Sequence, residues 1–378
     1  MRKVMKLGFI VNPIAGMGGK VGLKGTDNFL KEAISRGAQL IAPARAKEFL
    51  RKLEENSSDT NISIDILTCP GVMGENEAKA TGLAFQVLSM KTRKETSAED
   101  TKEAIRLLAL ARVDLIVFVG GDGTAKDIFD AMTDLQATPV LGVPSGVKMY
   151  SSIFAVSPSD AAEVVSAFAQ NQTEIEELEI MDADENAIRK DTFSVKLYGF
   201  LKGPFLPAYV QGSKQISPET VDEKDNQTAI ARFIIEETPP EATLILGPGT
   251  TVKRLAELLQ VSKTLLGVDI YRKGRVNLDV DEKKILEEVK DWHNTWIVVS
   301  PTGHQGILFG RGNQQISSRI IKNVGKERII IAATKSKLQN IQENILRVDT
   351  GDAEADSMIR GYIKVVTDYR EWRLVQVH

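Results

Sequence analysis

Apolar residues along this chain fall into short branched runs separated by amphipathic stretches, the rhythm of strands alternating with helices. Leu7 to Val11 reads as a buried strand; it ends in Asn12 and Pro13 and passes into a loop with glycines at 16, 18 and 19. Ile62, Ile64 and Ile66 alternate with polar residues and predict a strand over 62–67, closed by Cys69, Pro70 and Gly71. The polar stretch Lys91 to Thr101 leads into a helix with Ile105, Leu108 and Ala109 at helical spacing. That helix feeds Leu115 to Val119, a continuous apolar run of the kind found in a central parallel strand covered on both faces. Gly120 to Thr124 follow at once, and then a helix with Ile128, Phe129, Met132 and Leu135 on one face. A further strand near Pro139 to Val143 ends in Pro144, Ser145 and Gly146. Alternating β and α elements predict a parallel sheet with ligands at the carboxyl ends of its strands.

From about Glu174 the texture changes. Phe193 to Phe200 and Val268 to Leu278 alternate like strands, the latter with Lys273 and Gly274 at a hairpin turn. The strand, glycine turn, helix pattern then returns: Thr243 to Leu246, Gly247 to Thr251, and Val252, Leu255, Leu258 and Leu259 on a helical face. Trp296 to Val299 is followed by Ser300, Pro301, Thr302 and Gly303. These turns are functional loops or domain hinges, and a second domain begins in this region. The chain has no fixed-period repeat and no low-complexity tract.

Composition narrows the class. The 378 residues have room for two domains, and 42% apolar with 26% charged residues is a globular balance that excludes a disordered or fibrous chain. Lys and Arg number 48 against 51 Asp and Glu, a formal charge of -3, so no global field draws the chain to nucleic acid or anionic lipid. Any phosphate must be held locally. The single Cys69 excludes an internal disulfide and points to a reducing compartment, the cytoplasm. The basic start (Arg2, Lys3, Lys6) precedes an apolar run too short for a signal peptide, and no segment approaches the ~18 apolar residues of a membrane span.

The glycine turns carry the candidate chemistry. In Gly120, Gly121, Asp122, Gly123, Thr124 the three glycines let the backbone take conformations closed to other residues, so that successive N–H groups converge on phosphate oxygens at a helix's positive end. A carboxylate there is ill placed to bind an anion by charge. Asp122 is therefore the candidate catalytic group, as base toward a hydroxyl or partner of a phosphate-bound Mg²⁺, although a helix cap uses the same residue. The loop Asn12 to Lys20 fails both familiar glycine-loop spacings: Val21 stands where a dinucleotide fingerprint wants Gly or Ala, and no Ser or Thr follows Lys20 as a Walker A loop requires. It remains a generic nucleotide-contacting loop, with Asn12, Pro13, Gly16, Gly18 and Gly19 as contacts.

Pro144, Ser145 and Gly146 again follow a strand, and Lys148 is placed to screen phosphoryl charge or to sit solvated beyond the turn. Gly247, Gly249, Thr250 and Thr251 open a helix and would suit a phosphate or ribose, or serve as an ordinary cap. Between Ser300 and Gln315 the density of polar and glycine positions exceeds that of a connector, which nominates Thr302, Gly303, Gln305, Gly306, Arg311 and Asn313 for ligand binding. His293, His304 and His378 form no ligand-spaced cluster with acids or cysteine, and no Gly-x-Ser-x-Gly elbow occurs.

These stretches resemble the ATP-NAD kinase family, and within it the AcoX-like branch, in a superfamily with diacylglycerol and sphingosine kinases that shares the Gly-Gly-Asp-Gly turn. The matching stretches are Phe9 to Gly19, Val119 to Thr124, Gly142 to Gly146, Gly247 to Thr251, Ser300 to Gln314 and Leu346 to Asp352. The resemblance implies an α/β fold: an N-terminal Rossmann-like parallel-sheet kinase domain over 1–170, and a strand-rich α+β domain over 171–378 whose last segment packs back on the first. It implies ATP as donor, Mg²⁺ bridging its phosphates and NAD as acceptor, giving NADP. Gly120, Gly121, Gly123 and Thr124 would form the triphosphate turn, Asp122 would activate the acceptor hydroxyl, and Asn12 and Gly16 would join the nucleotide site. A homo-oligomer, dimer or tetramer, is expected on the same ground. Two departures concern the acceptor. The Asn-Glu pair that follows the glycine turn in NAD kinases occurs here only at Asn76 and Glu77, before it, and His304 and Gln305 replace the Ser-Thr continuation of their Thr-Pro-Thr-Gly element. The residues alone leave three readings: an NAD kinase, a kinase of a small metabolite or lipid headgroup, or a nucleotide-sensing regulator.

Overall fold

A computed structural model describes residues 4–19, 21, 30–59, 63–91, 96–132, 138–146, 149–183, 195–206, 209–210, 221–302, 306–341 and 344–378. They group into two compact units. The first draws on Met1–Met17, Gly25–Asp184 and Ser194–Ser213, the second on Gly18–Lys24, Glu185–Phe193 and Lys214–His378.

Five parallel strands form the first unit's sheet: β1 (Val4–Val11), β2 (Ser63–Thr68), β3 (Phe85–Val87), β4 (Leu115–Gly120) and β5 (Val140–Pro144), in the order β3-β2-β1-β4-β5. All of β4 and β5 is buried, as unbroken apolar runs in a doubly covered sheet should be. The helices Ala42–Asp59 and Pro158–Ala169 pack together, as do Ala98–Leu110 and Asp122–Met132. Local chemistry starts these helices. Ser97 and Asp100 form a capping box, and Ser157 accepts the Asp160 N–H with Pro158 in the first turn. Phe9 stacks on Phe49 at 5.8 Å, and Phe118 meets Phe154 edge-on at 5.2 Å within this core.

An antiparallel hairpin, β6 (Glu174–Ala183) with β7 (Val195–Phe205), belongs to the same unit, beyond the division at residue 170 that the sequence suggested. Gly199 and Gly203 explain why. A Cβ on Gly199 would lie 2.3 Å from the Phe129 ring, and one on Gly203 2.6 Å from the Val140 carbonyl, so the hairpin lies directly on the Asp122–Met132 helix and on β5. The strand expected from Phe193 begins at Val195, residues 193 and 194 lying outside the described set; so do Ile62 and residues 92–95 of the polar stretch.

The second unit holds a mixed nine-stranded sheet. Its strands are β8 (Thr243–Leu246), β9 (Asp269–Arg272), β10 (Arg275–Asn277), β11 (Thr295–Val299), β12 (Ile307–Phe309), β13 (Ile329–Ala332), β14 (Ile345–Val348), β15 (Gly361–Asp368) and β16 (Glu371–Val377). Their order is β10-β9-β8-β11-β13-β15-β16-β14-β12, with β8, β11 and β13 parallel neighbours. Lys273 and Gly274, at φ 50° and 77°, make the two-residue turn between β9 and β10, where positive φ matches the strands' twist. The final strand β16 pairs with β14 and β15. No helix among the described residues is long and apolar enough to cross a membrane.

Candidate functional site

Three loops leave the carboxyl ends of β1, β4 and β5, which are adjacent in the sheet. β1 lies between β2 and β4, so the β1/β4 boundary is the switch point where open parallel sheets bind ligands.

Asn12 ties the first loop to the second. Its backbone N–H donates to the Val119 carbonyl at 2.9 Å, its Oδ1 accepts the Ile14 N–H at 3.3 Å, and its Nδ2 donates to Thr124 Oγ1 at 2.9 Å. Pro13, Gly16, Gly18 and Gly19 are buried. Gly16 sits at φ 82° with its missing Cβ 1.8 Å from the Ser145 carbonyl oxygen, so only glycine fits there.

In the second loop the glycines act through space. Gly120, Gly121 and Gly123 all have negative φ, which corrects the expectation that they supply unusual backbone conformations. A Cβ on Gly120 would instead meet the Thr124 side chain at 2.6 Å, and one on Gly121 would lie 3.4 Å from Gly146 Cα. Close approach is what the glycines permit. Asp122 opens the eleven-residue helix Asp122–Met132, whose first-turn amides lack intrahelical acceptors and whose positive end favours an anion.

The third loop holds the carboxylate. Asp122 Oδ2 accepts the Tyr150 N–H at 2.7 Å and Oδ1 the Ser151 N–H at 3.0 Å. Ser151 Oγ in turn accepts the Met181 N–H at 2.9 Å, and Ser152 Oγ the Glu179 N–H at 2.6 Å, so β6 fixes the loop that fixes Asp122. Burial, and secondarily the charge of Asp122, pushes the Tyr150 hydroxyl above its ordinary range. Asp122 is half-buried among polar main-chain groups rather than packed hydrocarbon. Tyr150 and Ser151 contribute through their main chain, so no side-chain pattern marks them.

Ser145 completes the cradle. Its N–H donates to the Gly120 carbonyl at 2.9 Å, while its Oγ, in a residue only 3% exposed, has no hydrogen-bond partner among the described residues. An unpaired buried hydroxyl costs about 1–3 kcal/mol, and a phosphate oxygen is the kind of partner that would satisfy it. A helix start and an orphan hydroxyl, on loops that their glycines let pack closely, together fit an oligophosphate. Lys148 lies outside the described residues. The described residues contain no group of three or more His, Cys, Asp or Glu able to hold a metal ion. A Mg²⁺ here would take most of its ligands from phosphates and water, as Mg²⁺ usually does.

The remaining nominated residues lie in the second unit, to which Gly18 and Gly19 also belong. Gly247 donates its N–H to the Val298 carbonyl at 2.8 Å, and Gly249, at φ 111°, precedes the nine-residue helix Thr250–Leu258. A Cβ on Gly249 would be 3.9 Å from Ser300 Cβ, so the loops after β8 and β11 meet. Thr250 is exposed, its Oγ1 accepting from Gln227 Nε2 at 3.3 Å, and Thr251 is buried. Thr302 donates its N–H to the Ile307 carbonyl, and Gly306, at φ 63° and pressed on Ile345, closes that turn. Asn313 folds its own loop, donating to the Leu308 carbonyl at 2.9 Å and accepting the Gly310 N–H at 3.0 Å; Arg311 is buried. Gly303 and Gln305 fall outside the described residues. Lys337, which no sequence pattern singled out, donates to Ser300 Oγ at 2.9 Å.

Comparison with known proteins follows this division. Residues 7–173 match the ATP-NAD kinase N-terminal domain, and residues 240–377 the ATP-NAD kinase C-terminal domain. Solved structures assigned as diacylglycerol kinases from Bacillus anthracis str. Sterne are similar over 48% of this chain at 16% identity, with TM-scores of 0.24, 0.24 and 0.23. The chain spans less than half of their length, 46%, 43% and 46%. No curated protein matches the chain.

Proposed function

The chain belongs to the ATP-NAD kinase family, whose two domain models it matches in order, and we propose that it transfers the terminal phosphoryl group of ATP to the adenosine 2′-hydroxyl of NAD(H). The observation that carries this reading is the meeting of three loops at the sheet's switch point: Gly16, Gly120, Gly121 and Gly146 let the loops pack against one another, Asp122 is fixed there by two main-chain amides, and the buried Ser145 hydroxyl is left without a partner among the described residues.

Phosphoryl transfer asks a protein for position and charge neutralisation more than for covalent chemistry. The first-turn amides beyond Gly121 face the phosphates, and the hydroxyls of Thr124 and Ser145 supply further donors. Asp122 is held by amides at both oxygens, which turns a carboxylate, an acceptor group, toward the incoming O–H. The bond from the terminal phosphorus to its bridging oxygen breaks and ADP leaves with the electron pair. The acceptor oxygen forms the new P–O bond, and its proton passes to Asp122. Mg²⁺, held by the phosphates with Asp122 as the nearby carboxylate, would offset charge on the transferring group.

Incubation with ATP, Mg²⁺ and a panel of NAD, NADH, small alcohols and diacylglycerol tests the reading by mass spectrometry. NAD or NADH gaining one phosphate is the expected result. Phosphorylation of another alcohol in its place would reassign the acceptor, and ATP binding with no transfer would make the chain a nucleotide sensor.

A further inference from the structure

A cavity of about 230 Å³ opens in the second unit, where the helix Val221–Glu237 meets the sheet, and β11, β13, β15 and β16 all contribute to its wall. Trp296 and Ile330 are the second residues of β11 and β13, so the cavity lies over the amino-terminal halves of those strands and away from the loops at their carboxyl ends. Ile230 and Ile234 of the helix pack with Leu244, Leu246 and Val298 of the sheet, which holds the helical wall in place.

The lining is aromatic. Phe233 and Trp372 stack at 6.2 Å with their planes 19° apart, and Trp296 adds a second indole, so two of the chain's three tryptophans share one small space. Trp372 is 48% exposed and leaves apolar ring surface for another ring to cover. An apolar cavity of about 150 Å³ takes up benzene. The space here therefore suits one ring with a short polar tail, and it is too small for a long acyl chain or a dinucleotide.

Two opposite charges border this lining. Lys364 Nζ stands 5.2 Å from the centre of the Trp372 ring, and among the described residues it has no ion-pair partner. Glu237 is the last residue of its helix, whose final turn holds no basic residue, so the carboxylate meets the negative end of the helix dipole. Its neighbour Glu236 is answered by the Tyr369 hydroxyl at 2.9 Å and by Arg370 at 3.6 Å, whereas Glu237 has neither a donor nor a cation among the described residues. An apolar pocket with a few polar groups at its edge is the usual form of a small-molecule site. A cation would relieve Glu237 and an anion would pair with Lys364.

We propose that this cavity binds a free aromatic α-amino acid. The ring lies among Phe233, Trp296 and Trp372, the carboxylate meets Lys364 and the ammonium meets Glu237. The site is built from the second unit alone and does not rest on the kinase reading.

Calorimetric titration of the full chain with L-phenylalanine tests this, and it reads binding without turnover. The wild type should bind one equivalent saturably and its tryptophan emission should shift, because Trp296 and Trp372 line the site. Trp372→Ala should weaken binding about tenfold or more. Lys364→Met and Glu237→Gln, both at exposed side chains, should each weaken it about fivefold, the scale of one solvent-exposed ion pair. Phenethylamine lacks the carboxylate and phenylacetate lacks the ammonium, so each should bind more weakly than phenylalanine, and L-leucine, without a ring, more weakly still. Should Trp372→Ala not fold, the two charge variants and the analogue series decide. No saturable uptake of phenylalanine, an affinity unchanged in the variants, or leucine, phenethylamine or phenylacetate bound as tightly as phenylalanine would overturn the proposal.

Discussion

Because each Asp122 oxygen already accepts a main-chain N–H, from Tyr150 and from Ser151, changing the carboxylate to an amide alters structure as well as chemistry. Asn at 122 keeps one acceptor and turns an NH₂ toward the other amide. Asp122→Asn should therefore lose ~10²-fold or more in turnover, the scale of a positioned acid or base, while nucleotide binding survives. It should also lose about 1–3 kcal/mol in urea unfolding, from one orphaned amide. Undiminished turnover would remove Asp122 from the mechanism, and undiminished stability would contradict its hold on the third loop. Gly16 is a stricter position, since positive φ and the Ser145 carbonyl both oppose a side chain. Gly16→Ala should cost roughly 2–4 kcal/mol and weaken ATP binding, checked by unfolding and calorimetry; a variant as stable as the wild type would mean the loop is not packed as described.

At the scale of elements, the glycine turn after β8 depends on a buried ion pair. Lys263 Nζ meets Asp269 Oδ2 at 3.1 Å, with side chains 1% and 0% exposed, and Asp269 also accepts the N–H groups of Thr264 and Asp279. The loop they pin presents the Leu265 carbonyl to the Gly249 N–H at 2.8 Å. Lys263→Met leaves a buried carboxylate uncompensated and should cost about 3–5 kcal/mol, read by thermal or urea unfolding. A loss below 1 kcal/mol would show that the pair does not organise the turn. What periodicity could reveal was local. The buried run at β4, the amphipathic helix after it and the Lys273–Gly274 hairpin are all legible because their residues face one environment along a continuous segment. Long-range pairing was not. The acidic alternation of Glu174–Ala183 signals a new texture, yet nothing in it says that its hairpin lies on β5 and braces the loop holding Asp122. The glycine strings marked where loops approach one another, but whether by conformation or by clearance only packing decides. Lys337 sits in a five-residue helix too short to carry a pattern.

For the molecule as a whole, stability and pH meet at Glu77. The residue is 4% exposed, its Oε2 has no hydrogen-bond partner among the described residues, and burial raises its carboxyl above the ordinary range. A raised native value means that the folded state holds the proton more tightly than the unfolded chain. Stability then falls as pH climbs from the unfolded value of about 4.3 through the native one, and the full penalty persists above it. Glu77→Gln should be more stable than the wild type at pH 7 and should flatten that slope in urea titrations across pH; a variant less stable at neutral pH would mean that the carboxylate is paired. The proposed function puts a nucleotide's phosphate tail in the cradle of the first unit. A crystal structure with a non-hydrolysable ATP analogue and Mg²⁺ tests this most directly. The expected result is the β- and γ-phosphates on the main chain of residues 121–124, with Asp122 still held by Tyr150 and Ser151. An empty turn with the analogue bound elsewhere would contradict it.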